Sequence, residues 1–207
     1  CTQGKFRNAG QVCISPTRFF IEESIHDQFL EAFKKHVEAV NIGNGLDAGV
    51  NMGPLVADRR LDIMEGFVSN AVSEGGELIV GGERVQSSGS FYQPTLLANV
   101  PDSAQIMTEE PFGPIAPTAT FASLDEVIDR ANSLPFGLAA YAFTGSPKTA
   151  GALKTEIESG MLAINSLHIH SVETPFGGLK NSGYGYEGGI EGLEAFLATK
   201  YSSEVYT

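Results

Sequence analysis

Between Thr17 and Asn165 short runs of β-forming residues alternate with amphipathic helical stripes, and this alternation restricts the fold more than any other feature. Residues 17–21 (TRFFI) read as a strand. A helix follows, with Ser24 placed to cap it, Asp27 three residues on, and Ile25, Phe29, Phe33 and Val37 forming an apolar stripe. Beyond a Gly- and Asn-rich loop at 41–54, a second helix starts near Asp58. It buries Leu61, Met64, Phe67, Val68 and Ala71 and stops at Gly75-Gly76. Leu78, Ile79 and Val80 read as a brief buried strand closed by Gly81-Gly82. Pro94, Pro101, Pro111, Pro114 and Pro117 exclude a long helix over 84–117 and favour short strands joined by loops. A third helix is signalled by Ser123 as cap and Glu126, with Leu124, Val127, Ile128 and Ala131 as its buried face. Residues 138–143 (LAAYAF) have the length of a buried strand, Ser146-Pro147 opens a helix reaching Gly160, and 161–165 (MLAIN) form the next strand. The expected fold is α/β, with three layers and a largely parallel open sheet flanked by helices.

Thirteen Lys and Arg against twenty-five Asp and Glu give the 207-residue chain a net charge of −12. That charge repels a phosphate backbone and an anionic lipid surface, so neither nucleic acid nor membrane is an expected partner. No apolar run approaches the ~20 residues of a membrane span, and the N-terminus lacks the regions of a signal peptide, so the cytoplasm is the expected location. Cys1 and Cys13 are too few for a disulfide framework, and Cys13 taken singly reads as a small buried hydrophobe. The opening CTQGKFRNAGQVC has no initiator Met, which reads as part of a longer product.

Four constellations bear on chemistry. His168 and His170 follow a strand, and a period of two turns both rings to one side, as a metal pair needs. With no Cys or third His nearby they read as two packed or solvated histidines, and no metal is expected. Residues 183–188 match G-x-G-x-x-G, but no strand directly precedes them, so a loop is the better reading. The third is 6–13 (FRNAGQVC), where a thiol needs a lowered pKa or an adjacent base to be a useful nucleophile. The fourth is 109–114 (EEPFGP), two carboxylates that alone read as solvated surface.

Taken together, FRNAGQVC, EEPFGP and PFGGLKNSG, in this order and at these separations, resemble the aldehyde dehydrogenase superfamily. The likeness runs from Cys1 to about Tyr206 and is greatest to the succinate-semialdehyde dehydrogenase group, through KFRNAGQVC and HSVETPFGG. The resemblance implies an NAD- or NADP-dependent enzyme. It makes Cys13 the nucleophile, whose thiolate adds to an aldehyde to give a thiohemiacetal and then a thioester that water hydrolyses. The N–H of Cys13 is implied as an oxyanion donor. Glu110 and Phe112 match the residues that hold the nicotinamide half, and Phe176 an aromatic lining the aldehyde tunnel. Arg7 matches an arginine that pairs with the distal carboxylate of a semialdehyde. His170 stands where that group carries a carboxylate-binding Ser, with Ser171 next to it.

The resemblance further implies a catalytic domain over 1–190 and a tail over 191–207. The last seven residues, YSSEVYT, resemble a strand that joins an oligomerisation sheet in a homo-oligomer, dimer or tetramer. The family's dinucleotide-binding domain, oxyanion Asn and general-base Glu are expected upstream of this segment, so the 207 residues alone are expected to be inactive. Two other readings stay open: a non-catalytic remnant that folds and associates through its tail, and a hydrolase pairing Cys13 with His168 or His170.

Overall fold

The structure is a computed structural model describing residues 1–85 and 89–207, and the chain divides into two units, Cys1–Arg130 and Ala131–Thr207. The first unit runs through α1 (Thr2–Phe6), β1 (Phe19–Glu22), α2 (His26–Glu38), α3 (Arg59–Ser73), β2 (Glu77–Val80), β3 (Thr95–Ala98), α4 (Gln105–Thr108) and β4 (Ile115–Phe121). The helix α5 (Leu124–Asn132) then carries the chain into the second unit.

Among the described residues the first unit holds a four-stranded sheet in the order β1-β4-β3-β2. The pairs β1–β4 and β3–β4 are parallel, with Phe19 opposite Thr118 and Thr95 opposite Ile115, and β2 runs antiparallel to β3. All four residues of β3 and the first five of β4 are buried. Because side chains alternate between faces, both faces of the sheet centre are covered, as a parallel sheet requires. Pro117 lies inside the central strand β4, a position that normally costs a ladder bond. Here it is the last residue registered with β3, and pairing with β1 begins one residue later at Thr118. The expected buried strand at 78–80 is instead a half-exposed edge, with Leu78 45% exposed, because β2 has a neighbour on one side only.

The helix α3 buries Leu61, Met64, Phe67, Val68 and Ala71, the stripe its sequence predicts. The start of α2 differs from expectation. Ser24 donates its hydroxyl to the Glu22 carboxylate, residues Glu23–Ile25 form a 3-10 turn, and Ile25 is exposed. The helix proper starts at His26 without a side-chain cap, and Phe33 and Val37 are its buried apolar residues. The Phe33 ring meets Phe19 and Phe29, each at 5.4 Å between centroids, which seats α2 on β1. At α5 the expected capping box forms: the Glu126 N–H donates to Ser123 Oγ at 3.3 Å and the Glu126 carboxylate accepts from the Ala122 N–H at 2.9 Å. Of its expected buried face only Ile128 is fully covered. In 84–117 the short strand β3 and the single turn α4 agree with the proline spacing, and positions 86–88 lie outside the described residues.

The second unit contains β5 (Phe136–Gly137), β6 (Ala139–Ala142), α6 (Pro147–Glu156), β7 (Met161–Ile164), β8 (Leu179–Lys180) and α7 (Glu191–Glu194). Strands β6 and β7 pair in parallel, and β5 and β8 antiparallel. Ser146 caps α6 by accepting from the Thr149 N–H at 3.2 Å. The helix ends at Glu156, four residues short of the expected Gly160, because Ile157 takes an extended backbone. The strand expected to be buried at 138–143 is half-buried in β6, and Phe143 beyond it is exposed. Residues 201–207 have no regular secondary structure. No helix among the described residues is long and apolar enough to cross a membrane.

Candidate active site

The segment from Arg7 to Ser15 is shaped by backbone that few side chains tolerate. Asn8, Ala9 and Gly10 follow one another in the left-handed region, with φ of 52°, 54° and 71°. Asn accepts this conformation readily, and Gly10 is obligatory: a Cβ there would lie 2.2 Å from the Gly113 carbonyl oxygen. The contact seats this segment against the loop that carries Glu110 and Phe112. Gln11 locks the turn from outside. Its amide donates to the Asn8 carbonyl at 3.0 Å and the Pro54 carbonyl at 3.3 Å, and its oxygen accepts from the Val56 N–H at 2.9 Å. A turn follows from Val12 to Ser15, closed by the Ser15 N–H on the Val12 carbonyl at 2.9 Å, with the Ser15 hydroxyl donating back to the Lys5 carbonyl at 3.2 Å.

Cys13 sits on this turn and is exposed, which corrects the reading of a buried small hydrophobe. Its N–H makes none of the backbone hydrogen bonds that close the turn. Arg7 is exposed as well.

The Glu110–Pro114 loop follows α4. Glu109 is tied back to α4 by its N–H on the Gln105 carbonyl at 2.8 Å and by its carboxylate, which accepts from the Gln105 amide at 3.1 Å. Glu110 is exposed at its rim. Partial desolvation pushes its carboxyl upward, against the opposing pull of Lys5 and Arg60. Phe112 has a φ of 42° and is exposed, so its ring is free to meet a ligand. Arg60, on α3, donates to the carbonyls of Pro111 and Phe112 and so holds the strained loop. Behind the loop, Lys5 is completely buried, and burial lowers its ammonium to about 7, with Glu110 pulling the other way.

The structure thus brings FRNAGQVC and EEPFGP together in one unit. His170, Ser171 and Phe176 belong to the second unit. There the His170 ring stands edge-on to Phe176 at 6.2 Å. The Ser171 N–H donates to Thr174 Oγ1 at 2.9 Å, and Phe176 exchanges backbone bonds with Glu187 at 2.7 and 2.8 Å. Both histidines are exposed, and no group of three or more His, Cys, Asp or Glu able to hold a metal occurs among the described residues. The 183–188 stretch is a loop in which Gly183, Gly185 and Gly188 have positive φ.

Lys5, Gly10, Gln11 and Arg60 were not singled out from sequence. Gln11 and Gly10 lie inside the FRNAGQVC run, where position in the motif was the available signal. Lys5 and Arg60 read as surface cations, since Lys and Arg are almost never fully buried.

Residues 1–202 match the aldehyde dehydrogenase family. The chain is 45% identical over 96% of its length to a 4-(hydroxymethyl)benzenesulfonate dehydrogenase of Comamonas testosteroni, of which it covers 41%. It is 40% identical over 95% of its length to the mitochondrial succinate-semialdehyde dehydrogenase of Rattus norvegicus, covering 38% of that protein. Among solved structures, an aldehyde dehydrogenase of Brucella melitensis biovar abortus 2308 superposes with a TM-score of 0.95 at 37% identity, over 99% of this chain and 42% of that one. The chain therefore spans about two fifths of the length of the relatives it matches. The family match across nearly every residue, together with the shared fold, shows that this chain belongs to the aldehyde dehydrogenase family.

Proposed function

We propose that the chain is the catalytic part of an NAD(P)-dependent aldehyde dehydrogenase acting on an aldehyde that carries an anionic group, succinate semialdehyde or a similar carboxylate-bearing semialdehyde. The observation that carries this reading is the exposed Cys13, on a turn pinned by Gln11 and Ser15 and seated through Gly10 on the Glu110–Phe112 loop. The same reading takes residues 1–190 as the catalytic part and 191–207 as a tail joining an oligomerisation sheet in a dimer or tetramer. Exposure of Tyr201, Val205 and Tyr206 supports a tail that is covered in an assembly.

The Cys13 thiolate adds to the aldehyde carbon, forming the carbon–sulfur bond while the carbonyl oxygen takes up the charge. The Cys13 N–H, uncommitted within its turn, donates to that oxygen. After oxidation the acyl group remains on sulfur as a thioester, and water releases the acid and regenerates the thiol.

The exposed Glu110 carboxylate and Phe112 ring fit the nicotinamide end of a dinucleotide: the carboxylate accepts from ribose hydroxyls and the ring offers an apolar edge. Bound there, NAD or NADP supplies the hydride acceptor. Arg7 orients the substrate through two parallel bonds to its anionic end. A sulfonate matches that fork as a carboxylate does, and the similarity to a sulfonate-handling dehydrogenase supports including both. In the second unit, taken by itself, the exposed His170 and Ser171 are hydrogen-bonding groups and Phe176 is an apolar ring edge-on to His170.

The test is Cys13→Ala beside Cys1→Ala in the natural full-length protein. The first abolishes aldehyde oxidation with Tm unchanged, and the second leaves turnover intact. Near-normal oxidation by the Cys13 variant sinks the mechanism.

A further inference from the structure

The Cys13 turn and the Glu110–Phe112 loop are both anchored on the start of α3. Gln11 accepts from the Val56 N–H and donates to the Pro54 carbonyl, just ahead of the helix. Arg60, in the first helical turn, donates through Nη2 to the carbonyls of Pro111 and Phe112. Among the described residues it is the only side chain bonded to either carbonyl. One turn further on, Met64 is fully buried against Gly113, where a Cβ would stand 2.2 Å from the Met64 sulfur. Arg60 and Met64, four residues apart, therefore share the face of α3 that meets the loop. Gly10 approaches the carbonyl of the same Gly113 from the thiol segment.

The ends of the loop are held by other elements. The Glu109 N–H is tied to the Gln105 carbonyl, and the Thr95 N–H donates to the Pro114 carbonyl at 2.8 Å, which roots the far end in the sheet. The centre is different. Phe112 is a bulky residue at a φ of 42°, a left-handed backbone that persists only where its surroundings over-determine it. Its ring is exposed, so the constraint comes through the backbone: the Arg60 bonds before Gly113, and the Gly10 and Met64 contacts at it.

We infer that Arg60 is a positioning residue: by gripping the Pro111 and Phe112 carbonyls from α3, it fixes the loop at a set reach from the Cys13 turn and governs hydride transfer more than cofactor affinity. The inference rests on the reading of Glu110 and Phe112 as residues that meet the nicotinamide end. A dinucleotide has many other groups through which to bind, whereas hydride transfer depends on placing that end to within about an ångström.

The natural full-length protein carrying 4-fluorophenylalanine tests this without cofactor. The Phe112 signal, identified by its loss in Phe112→Leu, shifts and broadens in Arg60→Met, while iodoacetamide labelling of Cys13 stays within about twofold because Gln11 and Ser15 still hold the turn. With NAD or NADP and an aldehyde, the reduced cofactor formed in a single turnover appears about ten- to a hundredfold more slowly, at the scale of an ångström's misplacement. The isotope effect of a 1-deuterated aldehyde on kcat rises, and the cofactor Kd changes less than about threefold. Arg60→Lys, which keeps a donor, restores part of the rate. A lower Tm with the Phe112 signal and hydride transfer both unmoved overturns the inference and makes Arg60 a structural brace. Should Arg60→Met fail to fold, Arg60→Gln, with its amide on a shorter arm, decides by the same readouts. Glu110→Gln and Phe112→Leu separate the two layers. If both transfer hydride normally, the nicotinamide reading of the loop fails. If both are slow and the Arg60 variants are not, the positioning role fails alone.

Discussion

Asn8 and Gln11 are bonded to each other in both directions, each side-chain amide donating to the other's backbone carbonyl at 3.0 Å. The pair closes a three-residue left-handed excursion on which Cys13 depends, and Gln11 ties it to the entrance of α3 through Pro54 and Val56. Gln11→Ala removes three bonds of roughly 0.5–1.5 kcal/mol each, partly replaced by water, so a loss of about 1–2 kcal/mol is expected. Because the turn then moves, kcat falls more than stability does, and the rate of Cys13 alkylation changes with it. Thermal melts and iodoacetamide labelling check this. Unchanged labelling would show that the turn holds without Gln11.

Two glycines give opposite expectations. At Gly10 an added methyl meets the Gly113 carbonyl at 2.2 Å in a left-handed backbone, so Gly10→Ala costs several kcal/mol or prevents folding. At Gly66, in the exposed interior of α3, nothing lies within 4 Å of the same methyl. Gly66→Ala should gain about 0.5–1 kcal/mol. Melting the two variants side by side decides it, at roughly 2–4 °C per kcal/mol for a chain of this size.

The contrast between these positions explains what could be read from sequence. The α3 stripe was legible because five apolar residues at helical spacing have one way to be buried, and the Ser123 cap because its partners are four residues apart or fewer. Ser24 misled because Glu22, two residues back, competes for its hydroxyl. Lys5 and Arg60 were invisible for a different reason. Arg60 grips a carbonyl 51 residues further on, Lys5 is buried by contacts that its neighbours in sequence do not reveal, and no local pattern encodes which cation a fold will bury. Cys13 was placed by motif rather than chemistry, since Val12 and Ile14 beside it say nothing of exposure or reactivity.

Stability should carry the mark of Lys5 with a defined sign. Its amine titrates near 7 in the folded chain and close to 10.4 when unfolded. Below pH 7 both states are protonated and the cost of burying the charge is fully present. Between about 7 and 10.4 the unfolded chain binds more protons than the folded one, so stability rises with pH across that window. Lys5→Met lacks this rise. The variant's Tm advantage over the parent should be greatest near pH 6–7 and shrink toward pH 10. A difference that stays constant over that range would mean that Lys5 is not buried as a titrating amine.

Arg7 provides the sharpest test of substrate choice. It is an exposed cation six residues before an exposed thiol in a chain of net charge −12, and charge-assisted bonds to it are worth roughly 1.5–3 kcal/mol. If it grips the anionic end of the substrate, Arg7→Met in the natural full-length protein costs about ten- to a hundredfold in kcat/KM for succinate semialdehyde, at ~1.4 kcal/mol per decade. An uncharged aldehyde of the same length should be nearly unaffected. A sulfonate-bearing aldehyde divides the anion reading further: losses equal to those with the carboxylate mean that the fork reads charge alone, whereas a smaller loss means that it reads carboxylate geometry. The competing account has Arg7 activating the Cys13 thiol, and then all three aldehydes suffer alike and recover as pH rises. That outcome would remove the anionic-substrate assignment and leave aldehyde oxidation by Cys13 untouched.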